Sequence, residues 1–345
     1  MVGTFKVVTM ASAVEEKVID IFNDHFYDAG KVNVDGSVLK CWKAGGHGDQ
    51  TFLQVLQNSC NPGFVKLGQL LGKERLFSYI DKFGFGSKTG IDLSGEGEGI
   101  IFSLNRVGNV ELATSAFGQG VSVTPIQQVM AVSSVVNGGY LYTPYVVKSI
   151  SDNTNTVVKE YHKELKGRVI SNETSAIMRL ALESVVAKGG GKSAYIEGYR
   201  IGGKTGTAQK SENGVYLVNN YIMSFMSVVP SNDPEAVLYL AVDNPKHTAM
   251  LSSYTTTPIA RRILLDIIEA LKIEKQADEM EKDLEWNDKV TYEVPKVVGK
   301  SYEDAKKLLS NFEIVVEGEG KKVVEQSPKA GEVIEDRSKV RILLG

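Results

Sequence analysis

The chain has 345 residues, of which 42% are hydrophobic and 23% are charged, and these proportions are typical of a soluble globular protein. This length allows one large core and one smaller module. The net charge of −3 and the lack of a basic stripe argue against a nucleic-acid partner. No apolar run is long enough to span a membrane, and no signal peptide is recognisable after Met1. With only two cysteines, Cys41 and Cys60, we predict free buried thiols and no disulfide framework.

The first predicted element is a helix over residues 4–16. Phe5 and Val8 repeat at helical spacing with Ala11 or Ser12, and the small residues favour tight packing. A helix this apolar is expected to lie inside a domain.

A turn and a loop follow this helix. Asp35-Gly36 predicts a hairpin turn, and residues 45–50 predict a flexible loop. His47 in that loop has no Asp, Glu or Cys at ligand spacing, so the sequence predicts no metal site. Thr51 and Gln54 form a capping box that starts a helix running to Leu56.

Ser59-Cys60-Asn61 lies on the connector after this helix. Ser59 and Asn61 are two residues apart, and both could face one cleft. When these residues are taken alone, a plain polar connector between helices explains them better. Two short helices, separated at Gly72, are predicted beyond it.

Capping residues mark the next helices. Thr124-Pro125 supplies an N-cap and a first-turn proline for a helix that ends before Gly138. Residues 146–158 predict a hairpin, and Ser171 caps a long helix that ends before the glycines at 189–191.

The strands of the main domain cluster after these helices. We predict strands at 199–208, 221–229 and 236–242, and their short connections favour an antiparallel meander. A helix over 258–271 closes the unit. Helices, then a sheet, then a packed helix predict the α/β (α+β) class.

Residues 201–208 predict an edge strand with unusually small side chains. Its three glycines let a ligand approach the backbone closely. Lys204 offers a cation, and Thr205 and Thr207 offer hydroxyl groups. Such an edge can bind an extended peptide that ends in a carboxylate.

The carboxyl-terminal part predicts a separate small unit. Residues 273–291 are charge-rich and predict a linker that is helical or mobile. Beyond them, Ser301 caps a helix that runs to Leu309, and short strands follow at 314–317 and 340–344. We therefore predict a main domain over 1–272, a linker over 273–291 and a small α+β domain over 292–345.

Several motifs together resemble the class B penicillin-binding proteins. This superfamily is marked by a Ser-x-x-Lys, a Ser-x-Asn and a Lys-Thr-Gly motif in that order. Ser59-Cys60-Asn61 is similar to the second motif and Lys204-Thr205-Gly206 to the third. Further segments resemble this class or the PASTA domain: Gly46-His47-Gly48, 58–62 and 117–125 for the class, and Val294-Pro295 and 326–331 for PASTA. A single terminal PASTA domain is most similar to the sporulation type.

The resemblance implies a fold and an activity. The fold is the penicillin-binding transpeptidase fold, which is similar to that of serine β-lactamases, with a PASTA domain after it. The implied reaction is acyl transfer from D-Ala-D-Ala stem peptides, which crosslinks peptidoglycan. The implied partners are these stem peptides and β-lactams, without a cofactor, on the extracytoplasmic face of the cell membrane.

The first motif departs from the family pattern. The sequence reads Val2-Gly3-Thr4-Phe5-Lys6, so Gly3 occupies the position of the nucleophilic serine while Lys6 is retained. We therefore predict a chain that does not acylate. We also expect an N-terminal truncation, which would expose the first helix and leave a sheet edge unpaired. A separate N-terminal segment of the same protein is then a further expected partner.

The resemblance also implies residue roles. Lys6 would be the base, Ser59 would relay a proton to the leaving D-alanine, and Asn61 would hold the substrate amide. The terminal carboxylate would be bound by the third motif and the residue after it: Lys204, Thr205, Gly206 and Thr207.

Three functions remain open at this point. They are a D,D-transpeptidase domain that no longer acylates, a non-catalytic module that binds peptidoglycan or β-lactams, and a hydrolase of the serine β-lactamase type. The PASTA domain argues against the third function, because such a domain is more typical of a protein that builds the cell wall than of a β-lactam hydrolase. A substitute nucleophile is disfavoured, because Thr4 faces another side of its helix and Cys60 alternates away from Ser59 and Asn61.

Overall fold

The computed structural model describes residues 2–212, 215–246, 252–282, 291–335 and 337–345. The α-helices within these ranges are α1 (Val2–Glu15), α2 (Phe52–Gln57), α3 (Asn61–Lys82), α4 (Asn109–Ala116), α5 (Pro125–Val136), α6 (Asn172–Lys188), α7 (Ser252–Leu271) and α8 (Tyr302–Leu308). The strands are β1 (His25–Asp28), β2 (Lys31–Val34), β3 (Ser37–Lys40), β4 (Gly48–Thr51), β5 (Tyr140–Thr143), β6 (Ser149–Ser151), β7 (Val157–Glu160), β8 (Glu164–Arg168), β9 (Gly202–Glu212), β10 (Val215–Val229), β11 (Ala236–Asp243), β12 (Thr291–Glu293), β13 (Glu313–Glu317), β14 (Val323–Ser327), β15 (Val333–Glu335) and β16 (Lys339–Leu344).

Helix α1 forms the centre of the largest core. Its side chains from Thr4 to Ala13 are buried, and α3, α5, α6 and β9 pack around it. The expectation of an exposed first helix is therefore wrong. Four neighbouring elements cover it, and this removes its apolar surface from water on every side.

The predicted antiparallel meander is confirmed. Strand β10 pairs with both neighbours in the order β11-β10-β9, with Thr207 opposite Met223 and Thr205 opposite Phe225. Helix α7 packs on one face of this sheet, where Phe225 and Leu264 share a core. Helices α1 and α6 contact β9, so helices and sheet form layers with β9 at the sheet edge.

Most predicted turns and helix starts are confirmed. The two-residue turn Asp35-Gly36 joins β2 to β3 with positive φ at both residues. The side chains of Thr51 and Thr124 cap α2 and α5 in complete capping boxes. Gly72, at φ 75°, kinks α3 where the sequence predicts a break.

Two boundaries differ from the prediction. Helix α7 starts at Ser252 and continues through Pro258, and the hydroxyls of Thr256 and Thr257 donate to carbonyls of its first turn. The predicted loop at 45–50 is partly strand, since β4 pairs with β1.

The carboxyl-terminal unit has its own core. Strands β13, β16 and β14 form one sheet, and β12 pairs with β15. Ser301 caps α8 as predicted, and its hydroxyl accepts a hydrogen bond from Asp304 N at 3.2 Å. Strands β12, β14 and β15 were missed because most of their side chains are exposed or half-buried, which leaves little alternation to detect.

The first part of the predicted linker packs on the main domain. Ile273 joins the core beneath α7, and Asp278 forms an ion pair with Arg200 at 3.2 Å. No helix forms over 273–282, so the helical alternative is wrong there, whereas 283–290 lie outside the described residues. None of the helices in the described ranges combines the length and apolarity that a membrane crossing requires.

Candidate active-site cleft

A cleft of about 890 Å³ lies where α1 begins, beside the turn before α3 and the edge strand β9. The structure brings together in its lining most of the residues that the sequence singles out: Gly3, Lys6, Ser59, Asn61, Thr205 and Thr207. These residues come from three distant stretches of the chain, so the fold assembles the site.

Lys6 is held at the centre of the cleft by three oxygen atoms. Its Nζ donates to the Ser59 carbonyl at 2.7 Å, to Ser59 Oγ at 3.1 Å and to Asn61 Oδ1 at 2.7 Å. Only 2% of the lysine is exposed. The amine is therefore fixed in one position and shielded from water.

The backbone around Cys60 explains why Ser59 and Asn61 point the same way. Ser59 has φ 54°, Cys60 is the extended N-cap of α3, and Asn61 is the first helical residue. This turn directs Ser59 and Asn61 to Lys6, while Cys60 is fully buried with its Sγ 3.2 Å from Asp28 Oδ2. The expected alternation at 59–61 is confirmed.

Burial lowers the pKa of Lys6 to about 8, and the charges of Cys60 and Cys41 work in the opposite direction. Burial and the nearby charge of Lys6 also hold the pKa of Lys204 well below its usual value. An amine with a pKa of about 8 is neutral in about one tenth of molecules at pH 7, and only this neutral form can accept a proton.

The residues of β9 divide between two faces. Thr205, Thr207 and Gln209 line the cleft, whereas Lys204 is fully buried and its Nζ donates to the Thr205 carbonyl at 3.1 Å. Alternation along a strand separates these two sets of side chains. Lys204 therefore lies behind the strand, where burial and the charge of Lys6 disfavour its protonated form and lower its pKa.

Several cleft residues were missed by the sequence reading. Ser252 Oγ lies 2.9 Å from Thr207 Oγ1, at the start of α7, and Ser253 follows it in the lining. The signal was present as a serine pair before a helix, but it fell outside the predicted helix start. Aromatic side chains at Trp42 and Phe117 also line the cleft.

Gly3 leaves no room for a side chain in this arrangement. A Cβ atom there would overlap the Cα of Gly206 and lie 2.5 Å from the carbonyl oxygen of Thr205. Both are backbone atoms, so a rotamer change cannot relieve the overlap. Strand β9 thus approaches α1 directly at residue 3.

Beneath the cleft, His47 is not isolated as the sequence predicts. Its Nδ1 lies 2.9 Å from Asp28 Oδ2 and 3.4 Å from Cys41 Sγ, and Cys60 Sγ also contacts Asp28. The spacing rule missed this group because its contacting members are 6 to 32 residues apart and meet only when β1 pairs with β4. Both cysteines are free and buried, as predicted.

Comparison with known families agrees with this geometry. A family model described as "Penicillin binding protein transpeptidase domain" matches residues 3–265, and a PASTA domain model matches residues 292–345. Stage V sporulation protein D of Bacillus subtilis is 55% identical over 343 residues, which is 99% of this chain and 53% of that protein. A peptidoglycan D,D-transpeptidase FtsI homolog of Mesostigma viride is 33% identical over 300 residues, covering 79% of this chain and 49% of that protein. The chain spans about half the length of these relatives.

Solved structures show the same fold. The transpeptidase domain of penicillin-binding protein 3 from Burkholderia pseudomallei aligns with a TM-score of 0.71 at 25% identity, covering 79% of this chain and 80% of that chain. Penicillin-binding protein 3 of Mycobacterium tuberculosis, solved in complex with ampicillin, aligns with a TM-score of 0.74 at 25% identity. The alignment covers 80% of this chain and 63% of that chain. The predicted fold class is confirmed.

Proposed function

Because the chain belongs to the penicillin-binding protein transpeptidase domain family and carries a PASTA domain, we propose that its cleft binds the D-Ala-D-Ala end of peptidoglycan stem peptides. β-Lactams are expected to occupy the same cleft. We further propose that this chain holds these ligands without forming an acyl-enzyme. This binding would serve peptidoglycan synthesis on the extracytoplasmic face of the membrane. The chain would act there as a member of the sporulation branch of the family.

The observation that carries the proposal is the arrangement of Lys6, Ser59 and Asn61 opposite the β9 edge. The three side chains are joined by hydrogen bonds of 2.7–3.1 Å, and Thr205 and Thr207 line the facing wall. The edge of β9 that does not pair with β10 can accept an extended peptide as an added strand. A peptide bound in this way brings its terminal carboxylate towards Thr205 and Thr207.

Each side chain has a proposed part in holding the ligand. Asn61 holds the substrate amide through its side-chain amide. Thr205 and Thr207 donate to the carboxylate, and Ser252 positions the Thr207 hydroxyl from 2.9 Å away. Lys204 lies behind the strand and donates to the Thr205 carbonyl, which helps to hold this part of β9 in place, while Gly206 packs against Gly3 outside the cleft lining.

Acylation needs a hydroxyl that the position of Gly3 does not supply. In the family reaction a serine oxygen attacks the carbonyl carbon, the lysine amine three residues on takes the serine proton, and D-alanine leaves after accepting a proton. The hydrogen bond of 3.1 Å from Lys6 Nζ to Ser59 Oγ supports a part for both side chains in these proton steps. Without an attacking oxygen at position 3, no covalent bond forms.

The alternatives differ in products that can be measured. With a β-lactam as the test compound, a serine β-lactamase would hydrolyse many molecules per chain. An active transpeptidase would instead become acylated once and gain the mass of one β-lactam. A binding module would do neither and would still retain the ligand reversibly. The crowded backbone at Gly3 favours this last outcome.

The test combines intact-mass analysis with equilibrium binding on the full chain. After incubation with benzylpenicillin we expect no mass gain and no ring opening, but measurable binding of a D-Ala-D-Ala peptide by calorimetry. Thr207→Val should weaken that binding by about tenfold, since a hydrogen bond to a charged group contributes about 1.5–3 kcal/mol.

A matched control is Thr154→Val, because Thr154 is an exposed threonine on the turn between β6 and β7 and is not among the residues that line the cleft. This variant should bind as the parent chain does. A stoichiometric adduct at Ser59, Cys60 or Thr4 would refute the proposed lack of acylation. Equal binding by both threonine variants would refute the proposed site.

A further inference from the structure

Two lysine side chains, Lys31 and Lys40, face each other at one end of the cleft, and we call them the lysine pair. They are the first residue of β2 and the last residue of β3, and they lie directly opposite each other in this antiparallel hairpin. Opposite residues of such a hairpin project from the same face, with Cβ atoms about 4.5–5.5 Å apart. Both side chains are exposed and both line the cleft. The hairpin therefore presents two positive charges side by side.

No acidic side chain of the described residues neutralises the lysine pair. Neither lysine forms an ion pair in the described ranges, and Glu293 of β12, which also lines the cleft, forms none with either of them. Like charges placed directly opposite each other destabilise a pair of strands. The hairpin thus carries an unfavourable charge arrangement that an anionic ligand would relieve.

The charged residues of the cleft lining are mostly positive. Within the described residues they are Lys6, Lys31, Lys40 and Glu293, whereas the chain as a whole has a net charge of −3. Lys6 is buried and bonded to three oxygens, so the exposed positive charge of the cleft belongs to the lysine pair. A cleft lined by one sign of charge concentrates ligands of the opposite sign. This distribution favours an anionic ligand.

The lysine pair is joined to the side chain that is proposed to hold the substrate amide. Asn61 Nδ2 donates to the Lys40 carbonyl at 3.1 Å, and Asn61 Oδ1 accepts from Lys6 Nζ at 2.7 Å. Just beyond the pair, Cys41 N donates to the Gly30 carbonyl at 2.8 Å and continues the ladder of the hairpin. These contacts fix the base of the hairpin beside Asn61. The lysine pair therefore extends the wall of the cleft that Asn61 begins.

We propose that the lysine pair is a subsite for a second carboxylate of the stem peptide, carried by a side chain before the D-Ala-D-Ala end. The proposal rests on the proposed function, in which the terminal carboxylate lies against Thr205 and Thr207 on the facing wall. A carboxylate at the lysine pair is therefore a different group from the terminal one. Two ammonium groups can donate charge-assisted hydrogen bonds to the two oxygens of one carboxylate. The preferred ligand is thus a stem peptide that contains an acidic residue.

Matched peptides test whether the cleft recognises this charge. N-acetyl-Ala-Ala-Ala-D-Ala-D-Ala is the reference, and Glu or Gln replaces each of its L-alanines in turn. Calorimetry on the full chain at low salt should show, for at least one position, that the Glu peptide binds more tightly than its Gln counterpart. We expect a ratio of about threefold to tenfold, the range for two exposed ion pairs. The ratio should fall at high ionic strength, because salt screens exposed charges.

Lysine variants locate the subsite. Lys31→Gln and Lys40→Gln should each reduce the ratio between the Glu and Gln peptides, and the double variant should bring it to about one. Lys148→Gln is the matched control, because Lys148 is an exposed lysine just before β6 and is not among the residues that line the cleft. This control should keep the parent ratio. The melting temperature should not fall in the double variant, since removal of opposed charges relieves their repulsion.

The outcomes separate the subsite from the proposed function. Equal binding of the Glu and Gln peptides at every position, with the reference peptide still bound, would overturn the subsite and leave the proposed function standing. A ratio that the double variant retains would place the carboxylate elsewhere and would also overturn it. A double variant that melts below the parent chain and loses every peptide would give the lysines a structural role instead. The absence of binding by any peptide to the parent chain would remove the proposed function and the subsite together.

Discussion

The backbones of Gly3 and Gly206 lie in direct contact, with the peptide of Thr205 and Gly206 filling the space where a side chain on residue 3 would project. This contact joins the start of α1 to the edge strand of the sheet. It is possible because neither glycine carries a Cβ atom.

A first prediction concerns the steric demand at position 3. Gly3→Ala should lower the free energy of unfolding by about 1–3 kcal/mol, since the added methyl group meets backbone that cannot rotate away. Urea denaturation provides the measurement. Gly167→Ala is the matched control, because its Cβ would meet nothing within 4 Å. Equal stability of the two variants would show that β9 moves aside at little cost.

Gly3→Ser adds a hydroxyl group at position 3 at the same steric cost. The serine would lie three residues before Lys6, on the same face of α1. We expect slow and partial acylation by a fluorescent penicillin, limited by displacement of β9. The double variant Gly3→Ser, Lys6→Met should label about 10²–10⁴-fold more slowly if Lys6 is the base. Rapid labelling of both variants would contradict the role given to Lys6.

The buried amine of Lys6 predicts how stability changes in alkaline solution. Its pKa falls to about 8 in the folded chain from 10.5 in the unfolded chain, so between these values the unfolded state binds more protons. The free energy of unfolding should therefore rise with pH across this window, by at most about 1.4 kcal/mol per pH unit for one proton.

Lys6→Met removes this titration while keeping a side chain of similar length. Denaturation between pH 8 and 10.5 should show a shallower rise with pH for the variant than for the parent. Parallel curves would show that Lys6 keeps its ordinary pKa in the folded state.

Glu15 predicts the opposite dependence in acid. Burial alone would raise its pKa, but hydrogen bonds from Thr174 and Ser171 lower it below the usual value. Its Oε2 accepts from Ser171 N at 2.9 Å and from Ser171 Oγ at 2.8 Å, at the N-cap of α6. The stability that ionised Glu15 gives the folded chain should be complete above about pH 4.5. It should disappear as the pH falls further and the carboxylate is protonated.

Glu15→Gln tests this dependence. Its stability should fall less than that of the parent chain on acidification, so the two curves should converge at low pH. Thermal unfolding from pH 6 downwards measures the difference. A constant offset at every pH would mean that the glutamate titrates normally.

A pair of truncations tests where the main domain ends. A chain ending at residue 282 keeps the contacts of Ile273, Asp278 and Met280, whose N–H donates to Glu183 Oε1 at 3.0 Å. A chain ending at residue 272 loses all three. We expect the chain ending at 282 to have the same melting temperature as the main domain in the full chain. The free energy of unfolding of the chain ending at 272 should be lower by about 2 kcal/mol or more. Equal melting of both pieces would mean that these contacts contribute nothing.

The sequence predicts well what local chemistry decides. Capping boxes at Thr51 and Thr124, the turn at Asp35 and the kink at Gly72 depend on neighbouring residues, and all were found in place. The motif residues Lys6, Ser59 and Asn61 were identified by resemblance, and their hydrogen bonds agree with that grouping.

What the sequence misses depends on distant segments meeting. His47 finds Asp28 only when two strands pair, and Ser252 reaches Thr207 only when α7 docks on the sheet. The crowding at Gly3 is also invisible in the sequence, because it depends on the distance between a helix and a strand more than 200 residues apart. No local pattern encodes such separations.

The contact between Gly3 and Gly206 also couples the first helix mechanically to the sheet. Any side chain at residue 3 would push the strand away from the helix, because the backbone of Thr205 and Gly206 occupies the space that its Cβ needs. The volume of the residue at position 3 therefore sets the spacing between α1 and β9, and with it the width of the cleft on that side.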